Sequence, residues 1–300
     1  MSDLHVSVSG SGPRALLVHG SMSFGALAFS AQRPLQAEFE LHVVDRRGFG
    51  RSPDASAPVD FESDAEDIAE LLDRPTHLLG HSYGGIVCML AAAQRPAAVR
   101  SLTVVEPPLF GVARDDPAVA LLVERIGEHI DACGGMSEEE YLHGFLGSWG
   151  FQLGPRPTLN DVARRSVRRS MDERPPAEAR IPIDELARAP FPVLVVRGGW
   201  DAVPASARDL GGRAFITVCD VLVARLGAQL AVFPGAAHQP QLLGEPFNRR
   251  VAQFWLEAAA AHDREHQHHT QPECGQEPQE GEDLDAEHVR PTLRGDPDQR

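Results

Sequence analysis

Residues 80–85 read Gly-His-Ser-Tyr-Gly-Gly, a Gly-x-Ser-x-Gly pattern centred on Ser82 and flanked by apolar runs. Chemistry at such a serine needs a sharp turn that lifts the hydroxyl clear of the backbone and exposes the next N–H. Gly80 and Gly84 remove side chains where that turn meets its own strand and helix. A serine hydroxyl is a poor nucleophile at neutral pH, so a base must take its proton and an acid must orient the base. His238, on a loop after the apolar run 228–233, is the candidate base, and Asp201, on the turn after 193–196, is the candidate acid. Glu106 closes the run Val99–Val105 and is the fallback acid, although a carboxylate there more often anchors the chain as it leaves a sheet. The order Ser…Asp…His, with each residue at a different strand end, is far more specific than any single motif.

The charge that develops on an attacked carbonyl oxygen needs backbone donors. The N–H of Tyr83 supplies one, and the turn His19-Gly20-Ser21-Met22 offers a second from Ser21 or Met22.

These residues require a sheet to hold them. Apolar runs predict strands at 5–8, 15–18, 41–44, 76–79, 99–105, 193–196 and 228–233, with helical periodicity at 61–72, 86–93, 216–226 and 247–261. Continuous apolar strands alternating with helices predict an α/β fold, a mostly parallel central sheet flanked by helices. Residues 1–108 and 192–261 are its core. Over 109–191 the alternation gives way to helices, which marks an inserted helical cap. Ser137 and Glu140 open one cap helix as a capping box, and Arg164, Arg165, Arg168 and Arg169 line another as a solvated face. Phe24, Phe110, Phe145, Trp149 and Phe151 are candidate pocket walls. From 262 to 300 periodicity gives way to Glu, Asp, Gln, Pro and His, the composition of a disordered acidic tail, and its histidines belong to that polar tail rather than to a metal site.

With 300 residues and 42% hydrophobic composition the chain can bury a sizeable core. A formal charge of -15 argues against a nucleic-acid partner. Cys88, Cys133, Cys219 and Cys274 are widely spaced, so buried reduced thiols are expected rather than a zinc or redox motif. No leader pattern and no apolar run of about 20 residues is present, so a soluble cytoplasmic protein without a membrane partner is expected. Oligomeric state is left open.

The motifs His19-Gly20, Asp45-Arg46-Arg47-Gly48-Phe49-Gly50-Arg51-Ser52, Gly80-His81-Ser82-Tyr83-Gly84-Gly85, Gly199-Trp200-Asp201 and His238 resemble the α/β-hydrolase fold over residues 4–260. The resemblance is to the subgroup of proline iminopeptidase-like hydrolases, small esterases and cofactor-free haloperoxidases or perhydrolases. It implies Ser82 as nucleophile, Asp201 as acid, His238 as base, and Tyr83 with Ser21 as oxyanion donors, with no cofactor and no metal. One strand precedes Ala15 where relatives usually have two, the span from Asp201 to His238 is long, and the acidic tail has no counterpart. Ser82 also excludes epoxide opening and halide displacement, which run through an ester on an aspartate. The expected activity is acyl transfer from a small, largely apolar ester, lactone, amide or related carbonyl substrate to water. The alternatives are a perhydrolase or acyltransferase with the same triad, and a non-catalytic ligand-binding protein on the same fold.

Overall fold

A computed structural model describes residues 3–54 and 60–269, with side chains described to residue 260. Seven strands form one sheet: β1 (Val6–Ser9), β2 (Arg14–Val18), β3 (Glu40–Val44), β4 (Thr76–His81), β5 (Val99–Val105), β6 (Val193–Gly198) and β7 (Gln229–Phe233). Their order is β1-β3-β2-β4-β5-β6-β7, with β1 antiparallel to β3 and every other pairing parallel. Strand periodicity splits the core between the two faces of the sheet. Leu16, Val18, Leu78, Val193 and Val195 join one apolar cluster, whereas Leu17, Leu79, Leu194 and Val196 join the other.

The first cluster is covered by α1 (Phe61–Glu70), α2 (Tyr83–Gln94), α3 (Pro117–Asp131) and α4 (Glu138–Ser148), against which α5 (Asp161–Met171) packs, with α6 (Arg213–Leu226) beside β6. The second cluster lies under α7 (Glu245–His269), whose Phe247, Phe254 and Trp255 are buried against Phe39 and the sheet. Nine positions of α2 are buried, which explains why its sequence is apolar all round rather than striped.

Side-chain caps fix where α3, α4 and α5 begin. Asp116 accepts from the N–H groups of Ala118 and Val119, Asn160 accepts from Ala163, and Ser137 with Glu140 forms the expected reciprocal box. The α5 arginines form ion pairs on a face that stays partly solvated: Arg164 with Glu139, Arg165 with Asp54, and Arg168 with Glu138. Most boundaries differ from the sequence expectation by a few residues, and the C-terminal one by more. Residues 262–269 continue α7, because this charged run contains no Gly or Pro to stop it; residues 270–300, including Cys274, lie outside the described residues. Cys88, Cys133 and Cys219 are free thiols, and no described helix is long and apolar enough to cross a membrane.

Candidate active site

Parallel strands deliver their C-terminal ends to one edge of the sheet, where ligands of open α/β folds bind. β4 ends there in a turn that holds Ser82 at φ 54° and ψ -127°, a conformation that costs a non-glycine residue about 1–3 kcal/mol. Its N–H donates to Val105 O at 2.8 Å, and its carbonyl accepts from Gly85 N at 2.7 Å, so both flanks of the turn are tied down. The neighbouring glycines are spatial necessities. A Cβ on Gly80 would lie 2.2 Å from Gly84 O, and one on Gly84 would lie 2.3 Å from Val18 O. Gly20, on the facing turn, is as constrained, since a Cβ there would meet Ser82 Cβ at 2.7 Å.

Tyr83 is the first residue of α2, so its N–H belongs to the unsatisfied donors of a helix start. On the facing turn, Met22 N–H is already committed to the hydroxyl of Ser170, at 2.7 Å. Of the two sequence candidates, Met22 N–H is thus occupied, whereas no backbone partner of Ser21 N–H occurs among the described residues. Ser21, Met22, Ser82 and His238 all line one cavity of about 700 Å³, a size suited to a small organic ligand.

His238 follows β7, packed among the rings of Trp149, Phe215 and His81 at centroid distances of 4.7, 4.5 and 4.9 Å. Burial there pushes its pKa down to about 3, because an imidazolium loses its hydration. His81 Nε2 donates to the carbonyl of His238 at 2.9 Å, fixing the loop to the elbow.

The carboxylate beside this imidazole is Glu106. Its Oε2 is 3.4 Å from His238 Nδ1, and its Oε1 accepts from Gly198 N at 2.8 Å and Trp200 Nε1 at 3.1 Å. The side chain is fully buried, and burial pushes its pKa up to about 8, while the two donors hold it back. Glu106 itself sits at φ 48°, which turns it inward at the end of β5. Asp201, the acid expected from the sequence, lies elsewhere. It is exposed, and its Oδ1 accepts from Gly235 N at 2.8 Å, which places it as a brace between the loops after β6 and β7. The fallback residue therefore both anchors the chain and faces the imidazole of His238.

Four of the five expected pocket residues line the cavity: Phe110, Phe145, Trp149 and Phe151. Phe24 is not among the lining residues; it is the N-cap of a short helix, Gly25–Ala28. The charged side chains among the described lining residues are Asp131 and Glu173, with no arginine. Two contacts beside the site were not assigned from the sequence: Arg46 is buried between Asp64 and Glu173, and Ser170 of α5 accepts from Met22 N–H.

A family model described as an alpha/beta hydrolase family matches residues 15–278. A pimeloyl-(acyl-carrier protein) methyl ester esterase from Aeromonas salmonicida is 41% identical over 118 residues, covering 37% of this chain and 44% of that protein. One of the same name from Neisseria meningitidis is 28% identical over 242 residues, covering 76% of this chain and 72% of that protein. In the relatives matched at higher identity the chain spans about half of their length. Among solved structures, a thermophilic esterase from Thermogutta terrifontis superposes with a TM-score of 0.62 at 20% identity, over 85% of this chain and 93% of that one.

Proposed function

The chain belongs to the alpha/beta hydrolase family, and on that premise we propose that it is a serine esterase using Ser82, His238 and Glu106. The observation that carries the reading is the meeting, on one apolar cavity, of a strained Ser82 with a half-buried His238 whose Nδ1 faces the carboxyl of Glu106. Ser82 Oγ attacks the ester carbonyl carbon while its proton passes to His238 Nε2. The N–H groups of Tyr83 and Ser21 receive the developing oxyanion, an interaction worth about 3–4 kcal/mol per donor in known cases. Collapse breaks the carbon–oxygen bond, and the imidazolium protonates the departing alcohol. Water then gives a proton to His238 and attacks the acyl-enzyme, releasing the acid and returning the proton to Ser82. Throughout, Glu106 holds the Nδ1–H tautomer and offsets the imidazolium charge.

The cavity supports an uncharged, largely apolar acyl group. Phe110, Phe145, Trp149 and Phe151 supply apolar surface, and the acidic lining residues disfavour an anionic tail. The esters named for the relatives are of the same reaction class. A fluorophosphonate probe is expected to label Ser82, and p-nitrophenyl esters of increasing acyl length to be hydrolysed by the wild type and not by Ser82→Ala. Folded protein that leaves Ser82 unlabelled, or turnover that survives Ser82→Ala, would overturn the reading.

A further inference from the structure

We infer that the cap segment carrying Ser170 and Glu173 is a positioning device for the oxyanion turn, so that the hole is assembled when the cap is seated. The inference rests on the esterase reading above and concerns how its oxyanion donor is held.

The turn His19–Met22 has little freedom to be misplaced. Gly20 passes so close to the nucleophile that a Cβ would stand 3.3 Å from Ser82 Oγ and 2.7 Å from its Cβ. Met22, at φ 55°, is in the left-handed region that an unbranched side chain adopts only when its surroundings hold it there. Local sequence does not supply that hold. It comes from two side chains of the cap, three residues apart, acting on opposite ends of the turn.

At the far end Ser170, the penultimate residue of α5, accepts Met22 N–H at 2.7 Å, and the serine is 4% exposed. At the near end the agent is Arg46. Its Nε donates to His19 O at 3.1 Å and its Nη2 to Gly20 O at 3.2 Å, while its backbone N–H donates to His19 Nε2 at 3.0 Å. His19 Nδ1–H in turn donates to Gly20 O at 2.7 Å, so the imidazole is held neutral with one nitrogen on each side of the turn. Burial, reinforced by the Arg46 charge, keeps its pKa well below the ordinary histidine value.

A guanidinium buried to 1% exposure stays only with matched anions. Asp64 of α1 provides one, on Nη1 at 2.7 Å, and Glu173 of the cap provides the other, on Nη2, with its own side chain 5% exposed. The same Nη2 therefore bridges the cap carboxylate and the carbonyl of Gly20. Lifting the cap removes Ser170 from Met22 and Glu173 from Arg46 together, leaving Ser21 N–H without its fixed direction. The consequence is functional: the hole is complete only when the cavity is closed, which confines the charge-stabilising step to a water-poor site.

Simple cap docking would predict a different pattern in mutants. Ser170→Ala is expected to lower kcat at least ~10-fold with KM changed less than about threefold, because an oxyanion donor acts in the transition state and not in the ground state. Its inhibition constant for a trifluoromethyl ketone, which forms a tetrahedral adduct on the serine, is expected to weaken by the same factor as kcat/KM. Ser170→Thr keeps the hydroxyl and is expected to restore most of the loss. Glu173→Ala is expected to behave like Ser170→Ala, whereas Glu173→Gln retains an acceptor for Arg46 and loses less. Should Ser170→Ala fail to fold, Ser170→Cys, a weaker acceptor of similar volume, reads the same effect. Wild-type kcat and wild-type ketone affinity in folded Ser170→Ala and Glu173→Ala would overturn the inference. Failure of the underlying esterase reading is separately visible, since it would appear in the wild type as an unlabelled Ser82.

Discussion

Oε2 of Glu106 lies 3.4 Å from Nδ1 of His238, although the two residues are 132 positions apart and Asp201 stands nearer in sequence. The contact is possible because β5 and β6 are adjacent, and the inward turn of Glu106 at φ 48° takes its carboxylate under the loops that follow β6 and β7. Gly198 N–H and Trp200 Nε1–H hold Oε1, which leaves Oε2 for the imidazole.

The pH dependence of turnover follows from this pair. Burial pushes Glu106 up to about 8 and His238 down to about 3, so at pH 7 the proton of the pair resides on the carboxyl. Catalysis needs the carboxylate, with the proton on Nδ1 and Nε2 bare. kcat/KM is therefore expected to increase with pH and to reach half its plateau near 8, as the pair loses one proton. A profile already flat from pH 6 upward, measured with a p-nitrophenyl ester corrected for spontaneous hydrolysis, would contradict this.

Stability carries the opposite sign. A carboxyl whose pKa is raised on folding contributes fully below the ordinary glutamate range, and that contribution is lost as pH rises through the folded value near 8. The loss across that window is on the order of a few kcal/mol for a buried group. Glu106→Gln keeps an oxygen for Gly198 and Trp200 but cannot ionise. Its melting temperature relative to wild type is thus expected to climb between pH 5 and pH 9; a constant difference would refute the assignment of a strongly raised pKa.

Gly20, which faces the elbow, and Gly84, within it, predict distinct failures. In Gly20→Ala the new methyl meets Ser82 Cβ, so kcat is expected to fall ~100-fold or more through misplacement of the reacting groups, with modest loss of stability. In Gly84→Ala the methyl meets Val18 O at 2.3 Å, backbone that cannot yield, so the fold itself is destabilised. Thermal melts beside initial rates separate the two.

Much of this was legible in the sequence. The sheet, the turn at Ser82 and the loop position of His238 follow from apolar runs and glycine spacing, because the central parallel strands, buried on both faces, leave a strong signal and place their ends on one edge. Which carboxylate faces His238 did not follow. Glu106 and Asp201 both stand at strand ends, and only backbone dihedrals and the hydrogen bonds of their oxygens distinguish them. The burial of Arg46 was not legible, because Asp64 and Glu173, its anions, are distant in sequence. Phe24 is as aromatic as Phe145, but as an N-cap it stands outside the cavity.

That last contrast gives a specificity prediction. Phe145 lines the cavity and packs on Trp149 at 5.4 Å, so Phe145→Ala enlarges the acyl site and is expected to move the preferred chain length upward by several carbons. Phe24→Ala is expected to leave the preference where it is. A chain-length series of p-nitrophenyl esters reads both, and an unshifted optimum in Phe145→Ala would remove this residue from the acyl wall.

The assignment of Glu106 is tested most directly by kcat for Glu106→Gln beside Asp201→Asn on one p-nitrophenyl ester. The amide of Glu106→Gln donates to Nδ1 and forces the unproductive tautomer, so a loss of ~10³–10⁴ is expected, as for the amide substitution in a known triad. Asp201→Asn is expected to retain kcat within several-fold, because its brace to Gly235 survives in the amide oxygen. Collapse of Asp201→Asn with near-normal turnover in Glu106→Gln would contradict the account and return the role of acid to Asp201.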